Sequence, residues 1–331
     1  MSSKPELVAA MDWGGTWIRV ATVDAGGQIR WQDRTPNPKD ASRSQLIEAA
    51  RTMLDRAIAK CGGETAGVGI AVAGPVDTET GTLHEPPNLM ALDGVSLSSL
   101  WQDGLSCPVF VGNDATLAAL GEFYYGAGRE ASDRGAATKT LVYVTVSTGI
   151  GGGVVDGGRM FLGAGGLAGE VGHMTIDYTA PAPPCLCGSQ GCLEALASGT
   201  AIARIARERA AATGGPDSAL AAIDPSSITS EAVFQAAGEG DALAQEIIEG
   251  AVNALGVGLT NILHLFNPGL IVLGGGVTVG LEKLGLIEKI RAIIDARAMS
   301  QRHKDFVLTT SRLGDSVGII GAAAMVRHNS G

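Results

Sequence analysis

The chain has 331 residues, of which 45% are hydrophobic and 18% are charged, so it can bury a large core and is predicted to form two domains of ordinary size. Its net charge of −10 and lack of lysine and arginine clusters argue against a nucleic-acid partner, although backbone amides can still bind small anions. The chain opens without a charged and apolar leader and contains no apolar run long enough to span a membrane. We therefore predict a cytoplasmic protein without a membrane partner.

Predicted strands and helices alternate along the first third of the chain. Short apolar runs predict the strands, and apolar residues at helical spacing predict the helices. The strands are expected at 7–11, 67–73 and 108–112, and the helices at 42–60 and 115–125. Strands that alternate with helices predict an α/β fold.

Two glycine loops with the same surroundings lie about 130 residues apart. DWGGT at 12–16 and STGIGGG at 147–153 each follow a predicted strand and precede a hairpin. Each loop offers backbone N–H groups and a hydroxyl, from Thr16 or Thr148, where phosphate oxygens could bind. Either loop could have a purely conformational role, and neither matches the Walker A or dinucleotide-binding pattern. Their recurrence favours two similarly built halves that offer glycine loops to a shared cleft.

One histidine and three cysteines cluster between residues 173 and 192. His173, Cys185, Cys187 and Cys192 are the soft or borderline ligands of a tetrahedral zinc site. Because four protein ligands leave no position for a water nucleophile, the zinc is predicted to be structural and to fold the loop 179–184. The alternatives are three reduced thiols beside a hydrogen-bonded histidine, or a catalytic cysteine.

Two aspartates stand where predicted strands end. Asp12 could orient a magnesium ion or could simply be a turn residue. Asp114 lies at a strand-to-helix junction, where it could only cap the helix or could act as a base among the hydroxyls of a polyhydroxylated ligand. The other side chains suited to such a ligand are Asn113, Glu170, His173 and Glu194.

Taken together, these motifs resemble those of the ROK family of sugar kinases, in the hexokinase, actin and Hsp70 superfamily. The resemblance covers nearly the whole chain. It rests on DWGGT at 12–16, GPVD at 74–77, ND at 113–114, STGIGGG at 147–153, GEVGH at 169–173, CLCGSQGCLE at 185–194 and LGGGV at 273–277. It implies an α/β, two-domain actin-like ATPase (ribonuclease H-like) fold with a cleft between the domains. The smaller domain is expected at 1–118 with a C-terminal helix at about 316–331, and the larger domain, with the zinc loop, at 119–315.

The resemblance also implies a reaction, ATP-dependent phosphorylation of a hexose with Mg²⁺ at the phosphates and a structural Zn²⁺. It assigns phosphate and nucleotide contacts to Asp12, Gly14, Gly15, Thr16, Thr148, Gly149, Gly274, Gly275 and Gly276. Asp114 takes the place of the catalytic base. The sugar contacts it implies are Gly74, Asn88, Asn113, Asp114, Glu170, His173 and Glu194, so that His173 serves both zinc and sugar.

The sequence leaves alternatives open for the sugar substrate and for the class of protein. Residues 87–89 are similar to the PNL of glucokinase-like members, which favours glucose and its 6-hydroxyl, whereas Met90, Ala91 and Leu92 replace the usual Gly-Trp, and Gly112 replaces a common glutamate. Fructose, mannose, allose and N-acetylhexosamines therefore stay open, as does polyphosphate as donor. A sugar-sensing ROK regulator or a sugar-independent ATPase are alternatives of another class, and the acidic charge weighs against a DNA-binding protein. The family also suggests a homo-oligomer, a dimer or a tetramer.

Overall fold

The structure is a computed structural model that describes residues 7–38, 40–62, 65–136, 138–213 and 218–328. Strands and helices alternate, as the sequence predicts. The strands are β1 (Leu7–Trp13), β2 (Trp17–Val23), β3 (Ile29–Pro36), β4 (Thr65–Val72), β5 (Val76–Asp77), β6 (Thr82–Leu83), β7 (Val109–Asn113), β8 (Thr140–Val146), β9 (Ile150–Asp156), β10 (Arg159–Met160), β11 (Leu270–Gly274) and β12 (Val307–Thr310). The helices are α1 (Arg43–Lys60), α2 (Leu97–Gln102), α3 (Asp114–Tyr125), α4 (Ala127–Asp133), α5 (Leu193–Ala197), α6 (Gly199–Thr213), α7 (Ser230–Gly238), α8 (Ala242–Phe266), α9 (Gly276–Lys283), α10 (Ile287–Arg297) and α11 (Val317–His328).

The chain folds into two compact units. Within the described residues, the first unit takes the chain up to Tyr143, the segment Gly153–Gly169 and the chain from Ser311 onward, and the second takes Val144–Gly152 and Glu170–Thr310. Helix α3 packs on β4, β7 and α11 and belongs to the first unit. The predicted domains, 1–118 with a C-terminal helix and 119–315, stay a prediction.

The first unit is built on a five-stranded sheet of order β3-β2-β1-β4-β7. Strands β1, β2 and β3 form an antiparallel meander, whereas β1, β4 and β7 are parallel. The register pairs Trp13 with Val72 and Val72 with Asn113. The carboxyl ends of these three strands therefore meet at one edge of the sheet, which brings the first glycine loop beside the junction of β7 and α3.

The start and the buried face of helix α1 follow from its local sequence. The Ser42 side chain accepts a hydrogen bond from the backbone N–H of Gln45, and the Gln45 side chain accepts one from the Ser42 N–H, which forms a capping box. The buried face of the helix packs on β1, β2 and β3 through Leu46, Ala50, Met53, Leu54 and Ala57. Burial of this apolar stripe, more than helix propensity, holds the helix in place.

A second five-stranded sheet has the order β10-β9-β8-β11-β12. This order repeats the first sheet, because three consecutive strands are followed by two later ones, and β11 and β12 are parallel. The glycine loop 147–149 joins β8 to β9 as the loop 14–16 joins β1 to β2. The predicted recurrence of strand, glycine loop and hairpin is confirmed, and with it the α/β fold class. None of the described helices is both long and apolar enough to cross a membrane.

Candidate active site

The first glycine loop is a tight turn held by Asn37, a residue that the sequence analysis missed. The Gly14 N–H donates to the Trp17 carbonyl at 3.0 Å, which closes the turn. The Asn37 amide donates weakly to the carbonyls of Gly14 and Gly15 at 3.4 and 3.3 Å, and its oxygen accepts from Trp13 Nε1 at 3.2 Å. Gly15 and Thr16 themselves are exposed, so the loop can offer their polar groups to a ligand.

Asn88 lies directly against this loop. A Cβ added to Gly15 would stand 2.6 Å from the Asn88 Cβ, a separation that real side chains do not reach. Only glycine allows the two segments to approach this closely. The structure therefore brings together one residue expected at the phosphates and one expected at the sugar, although they are far apart in sequence.

Asp12 is the penultimate residue of β1 and is not a turn residue. Its side chain is 17% exposed and pairs with Arg19, Oδ2 to Nη1, at 3.3 Å. Burial raises the pKa of Asp12 above its usual value, and the Arg19 guanidinium opposes this shift. Gly318, at the start of α11, leaves so little room that a Cβ there would lie 2.9 Å from the Asp12 carboxyl carbon. Arg19 was not predicted, although the β1–β2 hairpin register, which pairs it with Asp12, points to it.

Asn113, and not Asp114, caps helix α3. The Asn113 side-chain oxygen accepts from the Thr116 N–H at 3.0 Å, and its amide donates to the Gly74 carbonyl at 3.1 Å. Gly74 has a φ of +134°, a conformation open to glycine, and a Cβ there would collide with Pro86. Asp114 is the first helical residue, and its Oδ1 accepts from the Ala115 N–H at 2.8 Å. Three predicted sugar residues of the first unit thus lie within one small network.

The second glycine loop is fixed by Glu194. The Glu194 Oε2 accepts from the Ile150 N–H at 2.8 Å, and a Cβ on Gly149 would lie 2.5 Å from the same oxygen. The N–H groups of Gly199 and Thr200 donate to the carbonyls of residues 147 and 148, at 2.7 and 3.3 Å. This ties the loop to the start of α6. One sugar-site candidate thereby contacts the predicted second phosphate loop.

Thr148 and Gly276 line the same polar cavity of about 270 Å³, which lies wholly within the second unit. Gly275 has a φ of +88° and turns the chain from β11 into α9, where a Cβ would collide with the Val146 carbonyl. A Cβ on Gly276, in contrast, would meet no atom within 4 Å. The structure thus brings Thr148 and Gly276 together at the amino end of α9, a favourable place for anions.

The four predicted zinc ligands form one cluster. Their ligand atoms all lie within 4.8 Å of one another. The Cys187 and Cys192 sulfurs are 3.8 Å apart, and the Cys185 sulfur is 3.7 Å from His173 Nδ1. A tetrahedral zinc with bonds of about 2.3 Å to sulfur and about 2.0 Å to nitrogen has ligand–ligand edges of about 3.5 to 3.8 Å. The donor set and these two distances therefore fit zinc.

The turn that carries the cysteines depends on two glycines. Gly188 and Gly191 have φ values of +88° and +70°, and a Cβ on Gly191 would collide with the Asp177 carbonyl. Burial and the neighbouring thiols raise the pKa of Cys192 to about 12. A bound cation would offset this by stabilising the thiolates.

Two predicted sugar residues border the cysteine cluster. His173 turns Nδ1 toward Cys185 and Nε2 toward Glu170, whose Oε2 lies 4.0 Å away. The second carboxylate, Glu194, has its Oε1 4.0 Å from the Cys185 sulfur. Both His173 and Glu170 are exposed, so their outer polar atoms can bind a ligand. The second unit thus holds its three predicted sugar residues beside the predicted metal site, and the first unit holds the other four.

Comparison with known sequences and solved structures identifies the same family that the motifs resemble. The sequence model of the ROK family matches residues 8–329. A glucokinase from Halalkalibacterium halodurans is 32% identical, over 96% of this chain and 94% of that protein, and a xylose repressor from Caldicellulosiruptor bescii is 28% identical, over 96% and 77%. The crystal structure of a ROK family glucokinase from Streptomyces griseus, in complex with glucose and AMPPNP, superposes with a TM-score of 0.78 at 29% identity, covering 97% of this chain and 99% of that one.

Proposed function

The chain belongs to the ROK family, and from this premise we propose that it is a kinase that transfers the γ-phosphoryl group of ATP to a hydroxyl of a hexose. The observation that carries the proposal is that Asn113, and not Asp114, caps helix α3. Asn113 supplies the cap that the helix requires, so the neighbouring Asp114 is not needed for that role. A carboxylate placed beside sugar-binding residues can accept the proton of the attacking hydroxyl.

The donor is proposed to bind through both glycine loops. Phosphate oxygens would meet backbone N–H groups and hydroxyls at the exposed loop of Gly15 and Thr16 and at the cavity of Thr148 and Gly276. Asp12 fits a magnesium ion, because Mg²⁺ is usually held by one or two carboxylates together with substrate phosphates. When bound, Mg²⁺ would neutralise charge on those phosphates. Positioning and fixed dipoles would supply most of the rate enhancement.

The zinc site is proposed to be structural. Four protein ligands would fill all four tetrahedral positions and leave none for a reacting water. Its function would be to order the turn that ends at Cys192, two residues before Glu194 on α5. Metal binding would thereby fix the carboxylate that contacts the second glycine loop.

Glucose is the proposed substrate, and its 6-hydroxyl the acceptor. The supporting observations are residues 87–89, the contact of Asn88 with Gly15, and the glucokinases among the similar proteins. The unusual residues 90–92 form one 3₁₀ turn in which Met90 is 58% exposed and Leu92 is buried. Gly112 lies in β7 where a Cβ would press on Leu117 at 3.1 Å, so the family's common glutamate would have to displace that side chain.

One coupled assay of ADP release tests both the reaction and the sugar. The panel would contain glucose, mannose, fructose, allose, N-acetylglucosamine and N-acetylmannosamine, each with ATP. We expect sugar-dependent turnover, highest with glucose. Turnover with another hexose would correct the substrate alone, whereas ADP release that is independent of every sugar would favour an ATPase of the same fold.

A regulator without kinase activity is the second candidate, since a xylose repressor is among the similar proteins. The acidic net charge of −10 argues against it, because DNA-binding surfaces require clustered cations. Sugar-dependent mobility shifts of DNA together with no phosphoryl transfer would favour the regulator. The cytoplasmic location and the homo-oligomer stay predictions.

A further inference from the structure

Two cavities of different character meet in the second unit. The polar cavity of about 270 Å³ is lined by hydroxyl groups of the second glycine loop and of residues 229 and 230, and by Arg207. The other, of about 480 Å³, is bordered by the apolar side chains of Phe234, Val279 and Leu284. Glu231 and Gly276 line both cavities, so the boundary between them lies at these two residues.

The order of chemical groups along these cavities matches one class of ligand. The predicted phosphate-binding end is the loop at Thr148, Glu231 lies between the two cavities, and Phe234 borders the far end. Gly280 lies so close to the Phe234 ring that a Cβ there would stand 2.8 Å from it, which leaves this border flat on its helix side. A ribonucleoside triphosphate has the same order, with charged phosphates, a pair of neighbouring hydroxyls and a flat apolar base.

We propose that Glu231 is a specificity-determining residue for the phosphoryl donor, because its carboxylate accepts hydrogen bonds from the ribose hydroxyls. This inference rests on the proposed kinase function and specifies its donor. Charge-assisted hydrogen bonds of this kind are stronger than neutral ones, and an acidic residue reads ribose hydroxyls in dinucleotide-binding folds as well. Inorganic polyphosphate offers no hydroxyl to the carboxylate and repels its charge, so Glu231 also disfavours that donor.

Local hydrogen bonds hold Glu231 at the boundary. Arg207 donates through Nη2 to the Ile228 carbonyl at 2.8 Å, which fixes the turn that enters α7. The Thr229 hydroxyl caps this helix by accepting from the Ala232 N–H at 3.3 Å. Hydrogen bonds from its own backbone N–H and from Thr229 lower the pKa of Glu231, which keeps the carboxylate charged and an acceptor at neutral pH.

Calorimetry without sugar tests the proposal. The probes are the magnesium complexes of ATP, 2′-deoxy-ATP, 3′-deoxy-ATP and tripolyphosphate, each titrated into the wild type, Glu231→Gln, Glu231→Ala and the control Glu239→Gln. Glu239 is an exposed carboxylate just beyond the other end of the same helix and lines neither cavity. We expect the wild type and the control to bind ATP about tenfold more tightly than at least one deoxy analogue, as for the loss of one hydrogen bond to a charged group.

Glu231→Ala should lose this preference and Glu231→Gln, whose amide oxygen still accepts a neutral hydrogen bond, should keep only part of it, while tripolyphosphate should bind to both variants no more weakly than to the wild type. Equal affinity of the wild type for ATP and both analogues would overturn the proposal, as would a preference that persists in Glu231→Ala. ATP binding without discrimination leaves the kinase function intact. Absence of ATP binding to the wild type would instead refute the kinase and this inference together, so the two failures are distinguishable.

Discussion

Glu122 tests how the structure holds helix α3, which begins with the proposed base Asp114. This side chain on α3 is fully buried. Its Oε2 accepts from the Ala127 N–H at 2.8 Å, and its Oε1 accepts from the Ser311 hydroxyl and from the N–H groups of the next two residues, at 3.0 and 3.1 Å. The carboxylate thus joins the helix that begins with Asp114 to the segment before α11.

The Glu122→Gln change keeps the shape but replaces one acceptor oxygen with an NH₂ group. At least one buried N–H then faces a donor and the other hydrogen bonds lose their charge assistance, so we expect a loss of about 2–4 kcal/mol in the free energy of unfolding. Urea unfolding followed by circular dichroism would measure it. The matched control is Glu130→Gln, a partly exposed carboxylate that pairs with Arg312 at 2.6 Å and whose loss should lower the free energy of unfolding far less. A loss in Glu122→Gln of no more than about 0.5 kcal/mol, as for ordinary surface substitutions, would refute the reasoning.

Three further predictions concern the reaction and the metal. Asp114→Asn should lower kcat by about 10² to 10⁴ while calorimetry still detects sugar binding, and turnover within about threefold of the wild type would exclude a general base. Metal analysis of unchelated protein should find about one zinc per chain. The Cys187→Ser change should lower the zinc content and the melting temperature and raise KM for the sugar. Unchanged kinetics after zinc loss would show that the loop is remote from the sugar. The His173→Cys variant should keep zinc but bind the sugar about 1–3 kcal/mol more weakly, because it lacks the Nε2 donor to the sugar. The His173→Ala variant should lose both the zinc and this part of the sugar affinity. Full sugar affinity in a zinc-loaded Cys variant would show that the histidine does not contact the sugar.

The sequence predicted those parts of the protein in which the decisive interactions are local. The start of α1 depends on Ser42 and Gln45, three residues apart. The predicted zinc ligands all fall between His173 and Cys192, so their clustering could be inferred from spacing before any fold was known. The α/β class likewise follows from alternating apolar patterns, because burial on a sheet imposes its period on each segment.

The structure supplied the residues whose partners are distant along the chain. Asn37 supports a loop more than twenty residues away, and Glu122 receives hydrogen bonds from residues near 312. In the sequence each is an ordinary polar residue, since nothing in its neighbourhood indicates where its side chain will be satisfied. Even the assignment of the α3 cap to Asn113 rather than Asp114 depended on backbone geometry.

Sequence alone therefore determined which chemical groups are available: a glycine loop in each half, a junction aspartate and a group of four side chains that can bind a metal. Tertiary structure decided which of these groups lie together, such as Asn88 against Gly15 and Glu194 against the loop at Ile150. The physical reason is that hydrogen bonds and close packing act over a few ångströms. Residues far apart in the chain reach that distance only after the sheets and helices have packed.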